Sequence, residues 1–345
     1  MLTPRQLLVL NNIIEIFTRD GEPISSQSIV KKGDIQASSA TIRNEMSTLE
    51  KIGLIEKVHS SSGRIPTVKG YRFYVDNLLK PKEIQEAKRI EIKDFLDEHI
   101  FQIQDVFYQS AELISQLTNY TAIVLGPQSN LSRLTAFRIL ALNDQQMMIL
   151  LQLDNHEVQS MSFRIPKGLE TQHIKQVTEF MNQNLVGESL ATVYRALKND
   201  LPQMFDKYLE MNWNVPEMLK RSLQSYSSEK MFVSGKPNLL DFTEDMQVGQ
   251  VKNLYRLLDN EGSLLSLLKA KHDAESTFDI QIGDEFEEQL LESFSLVTVP
   301  YQDQHFGKGF IAVLGPTNMT YDSTLGVIQV LKEELLDKLE DFYLE

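Results

Sequence analysis

Between Ser38 and Lys51 the sequence carries small polar side chains at the spacing of one helix face. After Ser38 and Ser39, the residues that share or border this face are Ala40, Thr41, Arg43, Asn44, Ser47 and Lys51. Asparagine suits adenine and arginine suits guanine, while an alanine side chain or a threonine methyl can contact the methyl group of thymine. The pattern indicates a helix that could read base edges in the major groove, although a solvated helix face has a similar composition.

A short hairpin is predicted directly after this helix. Residues 54–58 and 64–68 are predicted as strands, and the polar loop between them is His59-Ser60-Ser61-Ser62-Gly63. The serine hydroxyl groups of this loop, together with His59, could donate hydrogen bonds to phosphates. Arg64, predicted at the tip, could reach a phosphate or the minor groove. A hairpin in this position is the wing of a winged helix.

Basic residues are concentrated in the N-terminal part of the chain. Residues 1–80 hold eleven Lys and Arg against eight Asp and Glu, a net charge of +3, whereas the rest of the chain carries −17. No acidic residue lies between Lys57 and Val75, a stretch that also contains Lys69 and Arg72. Because an acidic body repels phosphate, any contact with nucleic acid is expected in the N-terminal part, with Lys69 and Arg72 among the contacts.

Three predicted helices would position these side chains. The first begins at Thr3-Pro4-Arg5-Gln6, which combines an N-cap, a proline in the first turn and a capping-box glutamine. A short second helix is predicted over residues 26–32, and the polar third helix ends near Gly53. Three short helices with a tight turn before the third are the arrangement of a helix-turn-helix.

The first 80 residues resemble the winged-helix domain of the heat-inducible transcription repressor HrcA family. The resemblance rests on Arg5-Gln6-Leu7-Leu8, Ser38-Ser39-Ala40-Thr41-Ile42-Arg43-Asn44-Glu45-Met46, His59-Ser60-Ser61-Ser62-Gly63-Arg64-Ile65-Pro66 and Lys69-Gly70-Tyr71-Arg72-Phe73-Tyr74-Val75-Asp76. It implies a homodimer that binds an inverted-repeat operator in double-stranded DNA and represses chaperone genes. It also implies release on heat stress and dependence on the GroEL chaperonin. The sequence departs from the family at Ser25-Ser26-Gln27-Ser28, where Gly-Ser-Arg-Thr is usual.

The rest of the chain predicts a larger α+β unit. An amphipathic helix is predicted over residues 84–118, with later helices over 171–184 and 324–342. Strands are predicted at residues 121–126, 134–142, 147–153, 158–165, 293–301 and 309–314. We expect these strands to form one antiparallel sheet flanked by helices and interrupted by a mostly helical insertion.

This pattern is similar to a GAF-like sensor domain, the architecture that the HrcA resemblance also implies. The predicted domains are a winged helix over residues 1–80, a GAF-like domain with a long linker helix over 81–186 and 293–345, and an inserted dimerisation domain over 187–292. Further matching segments are Leu117-Thr118-Asn119-Tyr120-Thr121, Val124-Leu125-Gly126-Pro127, Gly235-Lys236-Pro237-Asn238-Leu239-Leu240 and Ile282-Gly283-Asp284-Glu285. In a last segment, Asn318 and Thr320 replace a charged pair of the family.

The sequence gives little support to chemistry other than binding. It has no cysteine, and its six histidines are scattered without metal-ligand spacing. Neither a Gly-x-Ser-x-Gly elbow nor a phosphate-binding glycine-rich loop is present. We therefore expect no catalytic residue, no metal and no cofactor. Apolar runs such as residues 147–151 are far shorter than the ~18 residues that cross a bilayer, so a cytoplasmic protein without membrane contact is expected.

Two other functions remain open at this point. A metabolite-responsive winged-helix regulator would hold a small effector in the GAF-like domain, and an enzyme with a DNA-binding appendage would need a motif that the sequence lacks. A thermal-shift screen of metabolites separates the first of these from a heat-responsive repressor, because a ligand that binds the folded state stabilises it.

Overall fold

A computed structural model describes most of the chain. The described residues are 2–33, 35–58, 63–126, 132–154, 158–165, 171–199, 230–243, 246–269, 277–303 and 307–344. Within these ranges, no helix is long and apolar enough to cross a membrane.

The N-terminal unit is a winged helix. Its elements are α1 (Pro4–Asp20), α2 (Ser26–Lys32), α3 (Ser39–Lys51), β1 (Ile55–Lys57), β2 (Arg64–Pro66) and α4 (Val68–Asn77). The two strands pair antiparallel with Glu56 opposite Ile65. An additional bridge joins Ile24 to Arg64. The predicted helix-turn-helix with a wing is confirmed, while the wing loop, residues 59–62, lies outside the described residues.

Local sequence signals account for the start of α1 and the orientation of α3. The hydroxyl of Thr3 accepts a hydrogen bond from the Gln6 N–H at 3.3 Å, and the Gln6 side chain accepts one from the Thr3 N–H at 2.9 Å. This is the predicted capping box. On α3, Ile42, Met46 and Leu49 are at most 4% exposed and pack against the other helices of the unit. Their burial turns the polar face of α3 outward.

Two helices, not one, connect the winged helix to the body. They are α5 (Glu86–His99) and α6 (Ile103–Thr118). The prediction of a single helix over residues 84–118 is wrong, because the chain leaves helical geometry at Ile100, where φ is −104° and ψ is 112°. The Asp105 carboxylate accepts hydrogen bonds from the N–H groups of Phe101 and Gln102, each at 3.0 Å. This cap stabilises the new helix start.

Beyond α6, the described residues contain eight strands and five further helices. The strands are β3 (Thr121–Leu125), β4 (Leu134–Asn143), β5 (Gln146–Leu153), β6 (Val158–Arg164), β7 (Met231–Ser234), β8 (Asp279–Ile282), β9 (Phe294–Asp303) and β10 (Gly307–Pro316). The helices are α7 (Thr171–Leu185), α8 (Leu190–Asn199), α9 (Val248–Asp259), α10 (Glu261–Lys269) and α11 (Tyr321–Leu344). Short 3-10 helices span Lys236–Phe242, Gly283–Glu285 and Gln289–Leu291.

A five-stranded antiparallel sheet forms the centre of the body, in the order β7–β3–β10–β9–β8. Side chains alternate between its two faces. Val124 and Val313 belong to the core shared with α6 and α11, whereas Ile123 and Leu314 belong to the core shared with α9 and α10. Because helices cover both faces, β3 is buried along its whole length.

The strands β4, β5 and β6 form a separate three-stranded sheet. One of its faces packs on α7 and α8 around Phe137, Ile149 and Leu151. The expected single sheet is therefore wrong in two respects. The strands at 134–164 do not join the strands at 294–316, and the range 187–292, predicted as mostly helical, supplies β7 and β8 to the central sheet. The α+β class itself is confirmed.

Candidate nucleic-acid interface

Serine hydroxyl groups fix the N-terminal end of α3. Ser38 is the N-cap, and its Oγ accepts a hydrogen bond from the Thr41 N–H at 3.2 Å and lies 2.9 Å from Thr41 Oγ1. The Oγ atoms of Ser39 and Ser26 are 2.9 Å apart, which joins α3 to α2. Three residues predicted as DNA contacts, Ser38, Ser39 and Thr41, thus also hold the start of the helix in place.

The outward face of α3 presents groups that can hydrogen-bond. Ala40, Arg43, Asn44 and Lys51 are exposed, and Ser47 is partly buried. In the part of the chain that the structure describes, the side chains of Arg43, Asn44 and Lys51 make no hydrogen bond or ion pair. Ser47 differs, because its hydroxyl donates to the Arg43 carbonyl oxygen at 3.0 Å. Arginine and asparagine therefore stand side by side, available to base edges.

The carboxylate of Glu45, also on α3, is engaged by the first helix. Its Oε2 accepts a hydrogen bond from the Gln6 side chain at 3.1 Å, and its Oε1 lies 3.7 Å from the guanidinium of Arg5. These contacts hold the negative charge toward α1. They reduce its repulsion of a phosphate at the outward face of α3.

Arg64 links the wing to α3. Its Nε and Nη2 atoms donate to Glu50 Oε2 at 2.9 and 2.7 Å, and its side chain is only 16% exposed. Arg64 is the first residue of β2 and does not lie at the wing tip, so the expectation of a free cation there is corrected. The ion pair holds the hairpin against the recognition helix, which positions the wing.

A cleft between α2, α3 and the wing collects cationic side chains. Its lining residues are Ser25, Ser26, Arg43, Met46, Lys57 and Arg64. One of the three positive charges is balanced by Glu50, so two remain in excess. Lys57 is exposed, and among the described residues its ammonium group has no hydrogen-bond or ion-pair partner. The cleft has the charge and the hydroxyl groups to receive a phosphodiester.

Three residues that line the cleft, Ser25, Ser26 and Lys57, are not among the predicted DNA contacts. Lys57 opens the stretch without acidic residues, and that signal could have identified it. The two serines carried no such signal, because their approach to Arg43 and the wing depends on how the helices pack.

The remaining predicted contacts divide into three groups. Lys69 donates to the Ile52 carbonyl oxygen at 2.9 Å, next to the C-terminus of α3. Arg72 faces the body, where its guanidinium donates to the Glu285 carboxylate and the Ile280 carbonyl oxygen. The prediction that Arg72 contacts DNA is therefore corrected: Arg72 links α4 to the body. His59, Ser60, Ser61 and Ser62 lie outside the described residues.

A winged helix with an exposed polar recognition helix beside a cationic cleft defines a DNA-binding transcription regulator. Comparison with known families gives the same result. The "Winged helix-turn-helix transcription repressor, HrcA DNA-binding" family matches residues 1–77, and the "HrcA protein C terminal domain" family matches residues 104–325. The chain belongs to the HrcA family of heat-inducible transcription repressors, which confirms the resemblance seen in its sequence motifs.

Individual relatives agree over nearly the full length. The heat-inducible transcription repressor HrcA of Pediococcus pentosaceus is 39% identical over 343 residues, covering 99% of this chain and 98% of the relative. The HrcA protein of Enterococcus faecalis is 38% identical and covers 99% of both chains. A crystal structure described as a hypothetical protein is 21% identical, with a TM-score of 0.65 and 99% coverage of both chains, and it shows the same fold.

Proposed function

We propose that this repressor binds an inverted-repeat operator as a homodimer, represses chaperone genes and leaves the operator on heat stress. Its activity depends on the GroEL chaperonin, and it works in the cytoplasm as a binding protein without catalysis. One observation carries the DNA-binding part of the proposal. Arg43 and Asn44 are exposed on the recognition helix next to a cationic cleft.

The outer face of the three-stranded sheet is the dimer surface in this proposal. Leu140 lies opposite Met148, and Leu150 lies opposite Ser160, so these residues share the face that points away from α7 and α8. Leu140 is 45% exposed and Val158, on the same face, is 60% exposed. A second copy would cover these apolar groups through an isologous contact. If this sheet forms the dimer, the inserted dimerisation domain begins near residue 132, earlier than the predicted start at residue 187.

The same unit offers a temperature-sensitive element. Its core around Phe137, Ile149 and Met181 is separate from the two larger cores of the body. A small independent core opens at a lower free energy than a large one, and opening would expose apolar surface that a chaperonin captures. Heating would thereby dissociate the dimer while each winged helix stays folded. Free chaperonin would return the opened protein to the binding-competent state.

We expect chaperonin to raise the fraction of active repressor after heating without changing its operator affinity. The test is footprinting upstream of chaperone genes, followed by titration of operator against heated repressor of known active fraction, with and without GroEL. More active sites at an unchanged Kd support the proposal. A changed Kd at constant active fraction would instead make the chaperonin an allosteric partner, and the absence of a protected inverted repeat would reject the operator.

The cationic cleft gives a prediction of its own. Lys57→Ala should weaken binding to operator and to random DNA alike, and should lower the slope of log K against log salt by about 0.9 because one phosphate contact is lost. Arg64→Ala should weaken binding to both DNAs as well, and it should in addition lower the melting temperature because Glu50 loses its ion-pair partner. Lys252→Ala, on α9, is the control for loss of one positive charge. A slope equal to that of the control would show that Lys57 does not meet a phosphate.

A metabolite-responsive regulator is the second candidate function, and a cavity at the junction of the two units favours it. The cavity lies between α1, α4 and the start of α11, and Glu15, Arg19, Lys82 and Asp322 are among its lining residues. Arg19 is already paired with Asp20 at 2.9 Å, and the charges of Glu15, Lys82 and Asp322 suit a small zwitterionic molecule. In a thermal-shift screen, a metabolite that raises the melting temperature would support this candidate.

A further inference from the structure

The contacts of Arg72 join the DNA-binding unit to the central sheet. Its Nε donates to Glu285 Oε1 at 2.6 Å, and its Nη2 donates to Glu285 Oε2 and to the Ile280 carbonyl oxygen. Its Nη1 donates to Asp76 Oδ1, on the same helix, at 3.2 Å. A guanidinium held by a bidentate carboxylate and a backbone oxygen has a fixed direction as well as a strong attraction.

The receiving side of this contact is itself rigid. Glu285 also accepts a hydrogen bond from the Ile282 N–H at 2.9 Å, which closes the short 3-10 helix after β8. Gly283 in this turn has φ of +58°, and a Cβ there would lie 3.0 Å from Val68 Cγ2 on α4. Glycine is therefore required at position 283 for two reasons, the backbone conformation of the turn and the close approach of α4.

A second attachment restrains rotation about the first. The rings of Tyr71 and Tyr321, both at most 3% exposed, lie 6.1 Å apart between α4 and α11. The Lys82 N–H donates to the Asp322 carbonyl oxygen at 2.9 Å. With two points of attachment, the winged helix has a defined orientation on the body.

Contacts with α4 also fix the position of the recognition helix, α3. The Thr67 hydroxyl, at the start of α4, donates to the Gly53 carbonyl oxygen at 2.7 Å. Lys69 reaches the Ile52 carbonyl oxygen at 2.9 Å, so two hydrogen bonds tie α4 to the end of α3. A chain of direct contacts thus leads from Glu285 through Arg72 to the helix that faces DNA.

We propose that Arg72 and Glu285 are positioning residues that set the spacing of operator half-sites which the dimer accepts. This inference rests on the proposed dimeric function. In a dimer joined through the body, the separation of the two recognition helices depends on how each winged helix is held. Each base pair added between half-sites moves the second one by about 3.4 Å and rotates it around the DNA. A dimer whose winged helices are firmly held binds operators of few half-site spacings. A dimer with loosened winged helices binds a wider range of spacings, each with lower affinity.

The test uses the full-length protein and a series of operators whose half-site spacing changes one base pair at a time, together with a single half-site. Arg72→Met keeps the aliphatic stem, and Glu285→Gln keeps an acceptor for the Ile282 N–H. Both variants should lose about tenfold in affinity at the preferred spacing, because the second binding event loses effective concentration. They should bind neighbouring spacings almost equally well and the half-site as the parent does. Asp76→Asn is the control. It changes the partner of Arg72 on α4 but leaves the contacts of Arg72 with the body, so it should retain the parent's spacing profile.

Three outcomes would overturn the inference. A spacing profile identical to that of the parent in both variants would show that the pair does not position the winged helix. Weaker half-site binding by Arg72→Met with an unchanged profile would make Arg72 a DNA contact. A parent protein that binds the half-site as tightly as the inverted repeat would reject the dimeric function itself, and this result is visible before any variant is measured. A urea titration of each variant establishes that it is folded.

Discussion

Replacing Leu140 and Val158 together by lysine should convert the protein to a monomer and weaken operator binding by about a hundredfold or more. The two side chains lie on the outer face of the three-stranded sheet and are 45% and 60% exposed. Lysines there would place like charges opposite each other across a two-fold axis. Loss of the dimer removes the avidity of two linked half-site contacts, which contributes factors of about 10² to 10⁴.

Light scattering and operator titration measure this effect. The matched control is Leu240→Lys with Val248→Lys, a pair of the same residue types that is 50% and 72% exposed elsewhere on the body. The control should stay dimeric and bind normally. If the Leu140 and Val158 variant also stays dimeric, another surface joins the protomers, and the exposed Phe101 between α5 and α6 becomes the next position to test.

Asn44→Ala should weaken operator binding by about 1–3 kcal/mol and leave binding to random DNA nearly unchanged. Asn44 is exposed at the centre of the outward face of α3, where a lost bidentate contact with adenine affects only the specific sequence. Arg43→Ala should also weaken operator binding more than binding to random DNA, but with a smaller difference, because Arg43 lines the cationic cleft as well.

The measurement is a competition titration of operator against random DNA at one salt concentration. Asn253→Ala, on α9 of the body, is the control for an exposed asparagine on a helix. Equal losses on both DNAs would show that Asn44 has no role in reading bases. A loss confined to operators carrying adenine at one position would identify the base that it contacts.

The winged helix could be predicted almost completely because its signals are local. A capping box, a serine cap before α3 and a glycine after it depend on neighbours within a few residues, and the structure has all three. The exposed positions Arg43 and Asn44 followed from the helical period once Ile42 and Met46 were placed inside. Local periodicity thus determines which side chains of α3 can face DNA.

The roles of two arginines could not be predicted in the same way. Arg64 and Arg72 lie in a stretch without acidic residues, and this pattern predicts that both charges are available to phosphate. Their partners, Glu50 and Glu285, are 14 and 213 residues away along the chain. The net charge of a sequence window does not reveal such partners, because an ion pair depends on the distance between the two groups in space.

Local sequence signals are enough to predict a winged-helix DNA-binding protein, its recognition helix, the break between α5 and α6 at the Asp105 cap, and the α+β composition of the body. Contacts between distant segments settle which strands share a sheet and how Arg72 fastens the winged helix to β8. Caps and periodicity act over one or two helical turns, so the sequence reports them directly. Strand pairing and interdomain ion pairs join segments far apart in the chain, where many alternatives have similar local energy.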